Sequence, residues 1–264
     1  MPSIRVIKAH AYGNDFLCVP ASDVHGGLSG LTRAMCHRHH GIGADGVLVY
    51  EFRERGATMR LLNADGTVSE LSGNGMRCLA ALVARAQDLQ KGATITIDTD
   101  AGVKTLDLLA RDRERFTFRA SMGKPDDLRE ASITAAGETV QASLLRIGNP
   151  QCVVLGSLPD RARFERLGPA LSTHAMFPNG TNVEFAQVEA RDRVRIMIWE
   201  RGVGPTTSSG TGSSASAVAA AAHGGAARAV DVIAPGGTQR VEWQDEGVYL
   251  TGWAEVVLDG QWLW

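Results

Sequence analysis

Apolar and polar residues alternate in short stretches at 4–9, 16–19, 46–52, 58–63 and 94–98, the period-two signature of strands with one buried face. A longer alternating stretch, 102–119, reads as a hairpin, and the scheme returns at 143–147, 152–155, 183–188, 194–200 and 230–233, then as a meander from 238 to 264. Most connections are too short for parallel crossovers, so mixed or mainly antiparallel sheets are expected. Helical patterns are fewer. Residues 75–89 carry Met76, Leu79, Ala80, Leu82, Val83 and Ala86 around most of a helical circumference and stop at Lys91 and Gly92. Residues 213–222 are nearly all Ala, Ser and Val and stop at Gly224 and Gly225. Both suit a buried helix axis. Shorter amphipathic helices are predicted near 31–40 and 164–174.

The pattern occurs twice because the chain itself repeats. Gly13-Asn14-Asp15-Phe16 and Ser72-Gly73-Asn74-Gly75 are echoed by Gly148-Asn149-Pro150-Gln151 and Ser209-Gly210-Thr211-Gly212. Gly13 to Gly148 is 135 positions and Gly75 to Gly212 is 137. Asn63 and Glu200 each precede their serine by nine. The expected architecture is α+β: two pseudo-symmetric lobes, each a mainly antiparallel sheet or barrel wrapped around a central helix. The expected division is 1–121 and 122–264, with a linker at 121–126 and a last strand that packs back on the first lobe.

At 264 residues the chain is long enough for two cores, and 44% hydrophobic with 21% charged residues is an ordinary globular composition. A net charge of −2 creates no field for nucleic acid or membrane. The amino terminus lacks the apolar core of a signal peptide, which makes a cytoplasmic protein the expectation. Four cysteines, at 18, 36, 78 and 152, have neither zinc-site spacing nor disulfide-scaffold density, so reduced and mostly buried thiols are expected. Cys36, His37, His39 and His40 cluster in sequence, but adjacent side chains diverge on helix or strand, which favours a helix-end role over a metal site.

Candidate chemistry sits at the two helix starts. The amide groups of a first helical turn, reinforced by the dipole, attract carboxylates, and glycine lets a ligand approach the backbone. Two such turns facing one cleft would hold a small zwitterion from both sides. Around them stand Asn14, Asn63, Asn74, Asn149 and Asn182, with Glu200 and Arg201 as a charged pair. Any one asparagine is explained as readily by turns and caps; recurrence at repeat-related positions favours a binding role for the set. A dinucleotide site is the competing class, because Gly210-Thr211-Gly212-Ser213-Ser214-Ala215 fits G-x-G-x-x-A with Asp231 about twenty residues on. Against it, the preceding strand ends near Glu200, Pro205 intervenes, and the first-half copy lacks the match.

The motifs GNDF at 13–16, NADG at 63–66, SGNGMRC at 72–78, GNPQCV at 148–153, TNVEF at 181–185 and ERGVGPTTSSGTG at 200–212 resemble those of the diaminopimelate epimerase family, in order and over essentially the whole chain. The resemblance implies that family's fold, a cofactor-independent epimerase and a homodimer. It also implies the conversion of LL- to meso-diaminopimelate, on the way to lysine and peptidoglycan. By motif position it assigns carboxylate binding to the backbone at Gly73-Asn74 and Gly210-Thr211. Recognition of the distal end falls to Asn14, Asn63, Asn149, Asn182 and Glu200-Arg201. On this reading the Asn74 side chain contributes little to stability.

The family works with a thiolate and thiol pair, one group removing the α-proton and the other reprotonating the opposite face. At those two catalytic positions this chain has Ser72 and Ser209, and a serine hydroxyl is a much weaker acid that needs an adjacent base. Gln151 stands at the family's usual histidine, and Gly180 where an arginine often precedes TNVEF. Three readings stay open: deliberate replacement of cysteine to hold substrate without turnover, a diverged isomerase of another small amino acid with Glu200 as proton carrier, and a non-catalytic amino-acid-binding form.

Overall fold

In a computed structural model, which describes residues 3–69 and 72–263, the chain divides into two units, Met1–Ala120 with Gly252–Trp264, and Ser121–Thr251. The first opens with a hairpin of β1 (Ser3–Ala11) and β2 (Asn14–Pro20), whose turn holds Tyr12 and Gly13 at φ of 56° and 89°. Helix α1 (Leu28–Cys36) then returns the chain, so that β3 (Gly46–Arg53) lies parallel to β2 with Gly46 beside Phe16. Next come β4 (Gly56–Asn63), antiparallel to β3, and the two-residue β5 (Val68–Ser69). Helix α2 (Gly73–Ala86) is a second crossover. It places β6 (Thr94–Thr99) parallel to β4, and β7 (Gly102–Asp112) and β8 (Arg115–Gly123) follow as a meander.

Helix α2 forms because Ser72 caps it and, beyond the Gly73-Asn74-Gly75 start, residues such as Met76, Leu79, Ala80, Ala81 and Leu82 are good helix formers. Apolar side chains surround it, which makes it a core rather than a surface helix. Leu79, Leu82 and Val83 pack with Ile95, Ile97, Leu106, Leu108, Phe116 and Phe118 in one cluster. Each such side chain contributes about 1.5–3 kcal/mol by leaving water.

The second unit repeats the plan. β9 (Asp126–Ala135) and β10 (Glu138–Ile147) form a hairpin, and β11 (Asn149–Leu155) pairs with β10. Helix α3 (Arg161–Ser172) brings β12 (Asn182–Ala190) parallel to β11, with Asn182 beside Gln151. β13 (Arg193–Glu200) and the short β14 (Gly204–Thr206) precede α4 (Gly210–His223), the second crossover, which sets β15 (Ala229–Ala234) parallel to β13. β16 (Gly237–Gln244) and β17 (Gly247–Leu263) follow as a meander. Around α4, Val218 and Ala219 pack with Val194, Ile196, Val230, Val232, Val241 and Leu250. From Gly252 onward β17 belongs to the first unit, where it runs antiparallel to β1 from Ile4 beside Trp262 to His10 beside Glu255, and also pairs with β8.

The fold is α+β, each unit being a mainly antiparallel sheet around one buried helix. Each unit also carries two parallel pairs joined through helices, which short connections alone did not suggest. Residues 126–142 form strands that sequence alternation missed. Within 121–126 only Lys124 and Pro125 lie outside strands, since β8 runs to Gly123 and β9 starts at Asp126. Helix α1 ends at Cys36; His37 closes the following turn, its Nδ1 accepting the amide N–H groups of His39 and His40 at 3.2 and 3.0 Å. All four cysteines are buried and unpaired. No helix among the described residues is long and apolar enough to cross a membrane.

Candidate active site

The two serines occupy matching positions. Ser72 caps α2 at φ −134°, ψ 122°, its Oγ accepting the N–H of Gly75 at 3.1 Å; Ser209 caps α4 at φ −140°, ψ 126°, its Oγ accepting the N–H of Gly212 at 3.1 Å. In each, one lone pair is held by the helix start, and Ser209 Oγ makes a further contact of 3.4 Å with Thr211 Oγ1. Ser209 is 4% exposed, and Ser72 is half-buried.

In the first unit the cap is joined to a polar network. Asn74 Nδ2 donates to Asn14 Oδ1 at 3.0 Å, and Asn14 Nδ2 donates to Asp45 Oδ2 at 2.7 Å. Arg38 bridges Asp15, at 2.9 and 3.2 Å, and Asp45, at 2.7 Å, while Lys8 Nζ lies 2.9 Å from Asp15. Burial pushes the Asp15 carboxyl up, but hydrogen bonds from Arg38 and Lys8 outweigh it and hold the group below the usual carboxylate range. On the other side, the fully buried Arg77 donates to Asn74 Oδ1. Asn63 stands apart. Its Nδ2 donates to Thr67 Oγ1 at 3.1 Å and its amide N–H to the Thr67 carbonyl at 2.9 Å, which is the turn-shaping role.

Asn74 therefore bridges Asn14 to a buried guanidinium, contrary to the expectation of a side chain with little structural weight. Asn74→Ala strips a hydrogen-bond acceptor from buried Arg77, and leaving such a group unsatisfied costs about 1–3 kcal/mol or more. The expected result is a cooperative denaturant transition shifted to lower midpoint by that amount; an unshifted midpoint would show that Arg77 finds another acceptor.

In the second unit, Asn182 Oδ1 accepts the backbone N–H of Arg201 at 2.9 Å, and Arg201 Nη1 donates to the Asn179 carbonyl at 2.9 Å. Gly180 makes this possible: its φ is 71°, and a Cβ there would come within 2.9 Å of Arg201 Cδ. Asn149 sits beside Gln151 at 2.5 Å. The Gln151 amide lies between Glu184 and Thr211, and Thr211 Oγ1 is 3.4 Å from Ser209 Oγ. Glu184, on β12, is fully buried, and its Oε1 would lie 2.5 Å from a Cβ placed on Gly212. Burial, then the nearby charge of Glu200, pushes the Glu184 carboxyl well above the usual carboxylate range.

Hydrogen bonds thus join Asn14 and Asn74 near the cap of the first unit. In the second they join Asn149 to Gln151 and Thr211 to Ser209, and separately Asn182 to Arg201. Sequence reasoning did not single out Asp15, Arg38, Asp45, Arg77 or Glu184. A signal existed for Glu184 alone: an acidic residue stands between buried Val183 and Phe185 in a strand whose neighbours are otherwise apolar.

The profile of the family described as diaminopimelate epimerase matches residues 6–127 and 143–257. The chain belongs to the diaminopimelate epimerase family. The diaminopimelate epimerase of Desulforudis audaxviator is 39% identical over 274 residues, covering 97% of this chain and 98% of that protein. The diaminopimelate epimerase of Moorella thermoacetica is 38% identical over 275 residues, with 97% and 98% covered. In fold the chain is similar to a hydroxyproline epimerase from Agrobacterium vitis, solved with trans-4-hydroxy-L-proline, at a TM-score of 0.71, 17% identity, and 99% and 91% coverage. Family membership makes the chain an isomerase of the diaminopimelate epimerase type, and every candidate site residue falls inside the matched segments.

Proposed function

We propose that this chain binds a diaminopimelate-type amino acid and inverts one of its α-carbons without a cofactor, Ser72 and Ser209 standing where the family carries its cysteine pair. The matched capping geometry of the two serines, each at the first turn of a buried helix, is the observation that carries this reading. The α-carboxylate is held by amides at Gly73-Asn74 and Gly210-Thr211. The distal end is read by Asn14, Asn63, Asn149, Asn182 and the Glu200-Arg201 pair. One serine oxygen takes the proton from Cα, the electron pair stays on carbon under the helix-start dipoles, and the other serine gives its hydroxyl proton to the opposite face. Atoms and charge balance over the two half-reactions, and the second serine is left as the alkoxide for the reverse turn. The product would serve lysine and peptidoglycan synthesis, and the working form is a homodimer.

The hydroxyl slows this chemistry. A cysteine ionises near pKa 8.5 and a water-like hydroxyl far above it, a gap of about 10 kcal/mol. Two second readings gain from that gap: a diverged isomerase with Glu200 as proton carrier, and an amino-acid binder without turnover. Incubation with LL-diaminopimelate in deuterated water separates them, with deuterium expected at Cα together with a growing meso fraction. Binding of diaminopimelate without deuterium incorporation would refute the epimerase reading and favour the binder; exchange on another amino acid alone would favour the diverged isomerase.

A further inference from the structure

The buried carboxyl of Glu184 has no part in the chemistry above, yet it is connected to Ser209 by a short run of polar atoms. The two ends of the Gln151 amide lie at fixed places. One is 3.1 and 3.2 Å from the two Glu184 oxygens, and the other is 2.5 Å from Asn149 Oδ1 and 3.2 Å from Thr211 Oγ1. Two arrangements satisfy these distances. With a proton on Glu184, its O–H donates to the Gln151 oxygen and the Gln151 nitrogen donates to Asn149 Oδ1. Without that proton, the Gln151 amide is reversed: its nitrogen donates to both Glu184 oxygens, its oxygen accepts from the Thr211 hydroxyl, and the Asn149 amide turns with it.

We propose that Glu184 is a positioning residue of the second half-site: its proton sets the orientation of the Gln151 amide and, through Thr211, whether Ser209 presents a hydroxyl proton or a lone pair to the ligand. When Glu184 is protonated, the Thr211 hydroxyl is released from Gln151 and donates across 3.4 Å to Ser209 Oγ. Ser209, already accepting from Gly212, then turns its own O–H outward as an acid. When Glu184 is ionised, Thr211 donates to Gln151 and accepts from Ser209, which leaves a serine lone pair facing outward as a base. No bond other than O–H and N–H hydrogen bonds changes. The inference rests on the epimerase reading for its catalytic meaning, but the coupling of Glu184 to Gln151 does not.

The surroundings fit a carboxyl that gains and loses one proton. Glu200 approaches from β13, and on β11 the Cys152 thiol is itself pushed up by burial and by Glu184. Helix α4 places a glycine against the carboxyl, and its one titratable side chain, His223, is at the far end. The arginines of α3 are engaged with Glu138 and Glu165. Gln151, although 1% exposed, lines a cavity of about 200 Å³ with Leu145, Arg146, Pro150 and Gly180.

The test uses the full chain, its Glu184→Gln variant and its Glu184→Leu variant. Infrared spectra of the parent, followed from low to high pH, should show a protonated carboxyl band that is missing from both variants. As pH rises and that band fades in the parent, the side-chain amide signal of Gln151 in nitrogen-15 NMR should move with the same midpoint, and it should stay fixed in Glu184→Gln. A Gln151 signal that does not follow the carboxyl band overturns the proposal, as does a band that persists unchanged until the protein unfolds. In the deuterium-exchange assay with diaminopimelate, the parent should show a limb of about tenfold per pH unit at that midpoint, absent in Glu184→Gln. Glu184→Gln, which keeps a donor toward Gln151, should retain more exchange than Glu184→Leu; equal losses with an unaltered pH profile would make Glu184 a core residue only. If Glu184 and Gln151 titrate together but the parent exchanges nothing, the epimerase reading fails and the positioning pair stands.

Discussion

A double variant, Ser72→Cys with Ser209→Cys, should exchange the α-proton of diaminopimelate faster than the parent by about 10³-fold or more. The gap between a thiol and a water-like hydroxyl is about seven units, hence about seven decades of ionised fraction at neutral pH. A thiolate is the weaker base and gives back about half of that, leaving about three decades. Both positions cap helices whose first-turn amides favour an anion, so the thiols would be further acidified where they stand. The same exchange removes two good capping hydroxyls. Each loss costs about 1 kcal/mol and about 2–4 °C in Tm, so the faster protein should also be the less stable one. Because the two groups work as a pair, either single variant should recover far less than half of the logarithmic gain. Deuterium incorporation at Cα measures the rate. A folded double variant that is no faster than the parent would show that the serines stand in a pocket built for other chemistry.

The second large effect concerns stability and distinguishes the two halves of the repeat. Gly75 and Gly212 hold the same helical position, yet a methyl group at each would meet different neighbours. At Gly75 it meets Leu48 Cδ2 at 3.2 Å, the far end of a flexible side chain. At Gly212 it meets Glu184 Oε1 at 2.5 Å and the carboxyl carbon at 3.2 Å, and Glu184 is fully buried, its carboxyl beside the Gln151 amide. Alanine gains about 0.8–1.0 kcal/mol over glycine in a helix interior. Gly75→Ala should therefore leave stability within about 1 kcal/mol of the parent, whereas Gly212→Ala should lose about 2 kcal/mol or more through overpacking. Denaturant titration of both variants tests the asymmetry. Adding Glu184→Ala to Gly212→Ala should give a coupling of about 0.5–3 kcal/mol in the favourable direction; strict additivity would mean that the carboxyl is not what the methyl group strikes.

Much of this arrangement was legible in the residues. Ser-Gly-x-Gly before an apolar run marks a capped helix, and both Ser72 and Ser209 became caps with backbone angles within a few degrees of each other. The strands with one apolar face were found because burial imposes period two. β9 and the first half of β10 were missed for the converse reason: the first six residues of β9 are exposed or half-buried, so no face is marked. The parallel pairs were missed because a crossover through a helix leaves no local trace at the strand that receives it. The polar networks lay beyond reach for a related reason. Asp15 stands inside the GNDF motif, but what fixes it and Asp45 is Arg38, which lies in the turn after α1 and has no motif of its own. Asn63 shows the opposite hazard, since its motif position suggests a ligand contact while its hydrogen bonds are those of a tight turn.

The closing strand of the first unit has a consequence for biosynthesis. Arg5 and Asp259, joined at 3.4 Å, are 254 positions apart. While the ribosome is still translating the rest of the chain, β1 and β8 have open edges that only residues from Gly252 onward will cover. Such edges recruit other chains, and contacts so distant along the sequence form late. Shortening the message ahead of β17 should therefore yield nascent protein that aggregates or is held by chaperones, rather than a free-standing first unit.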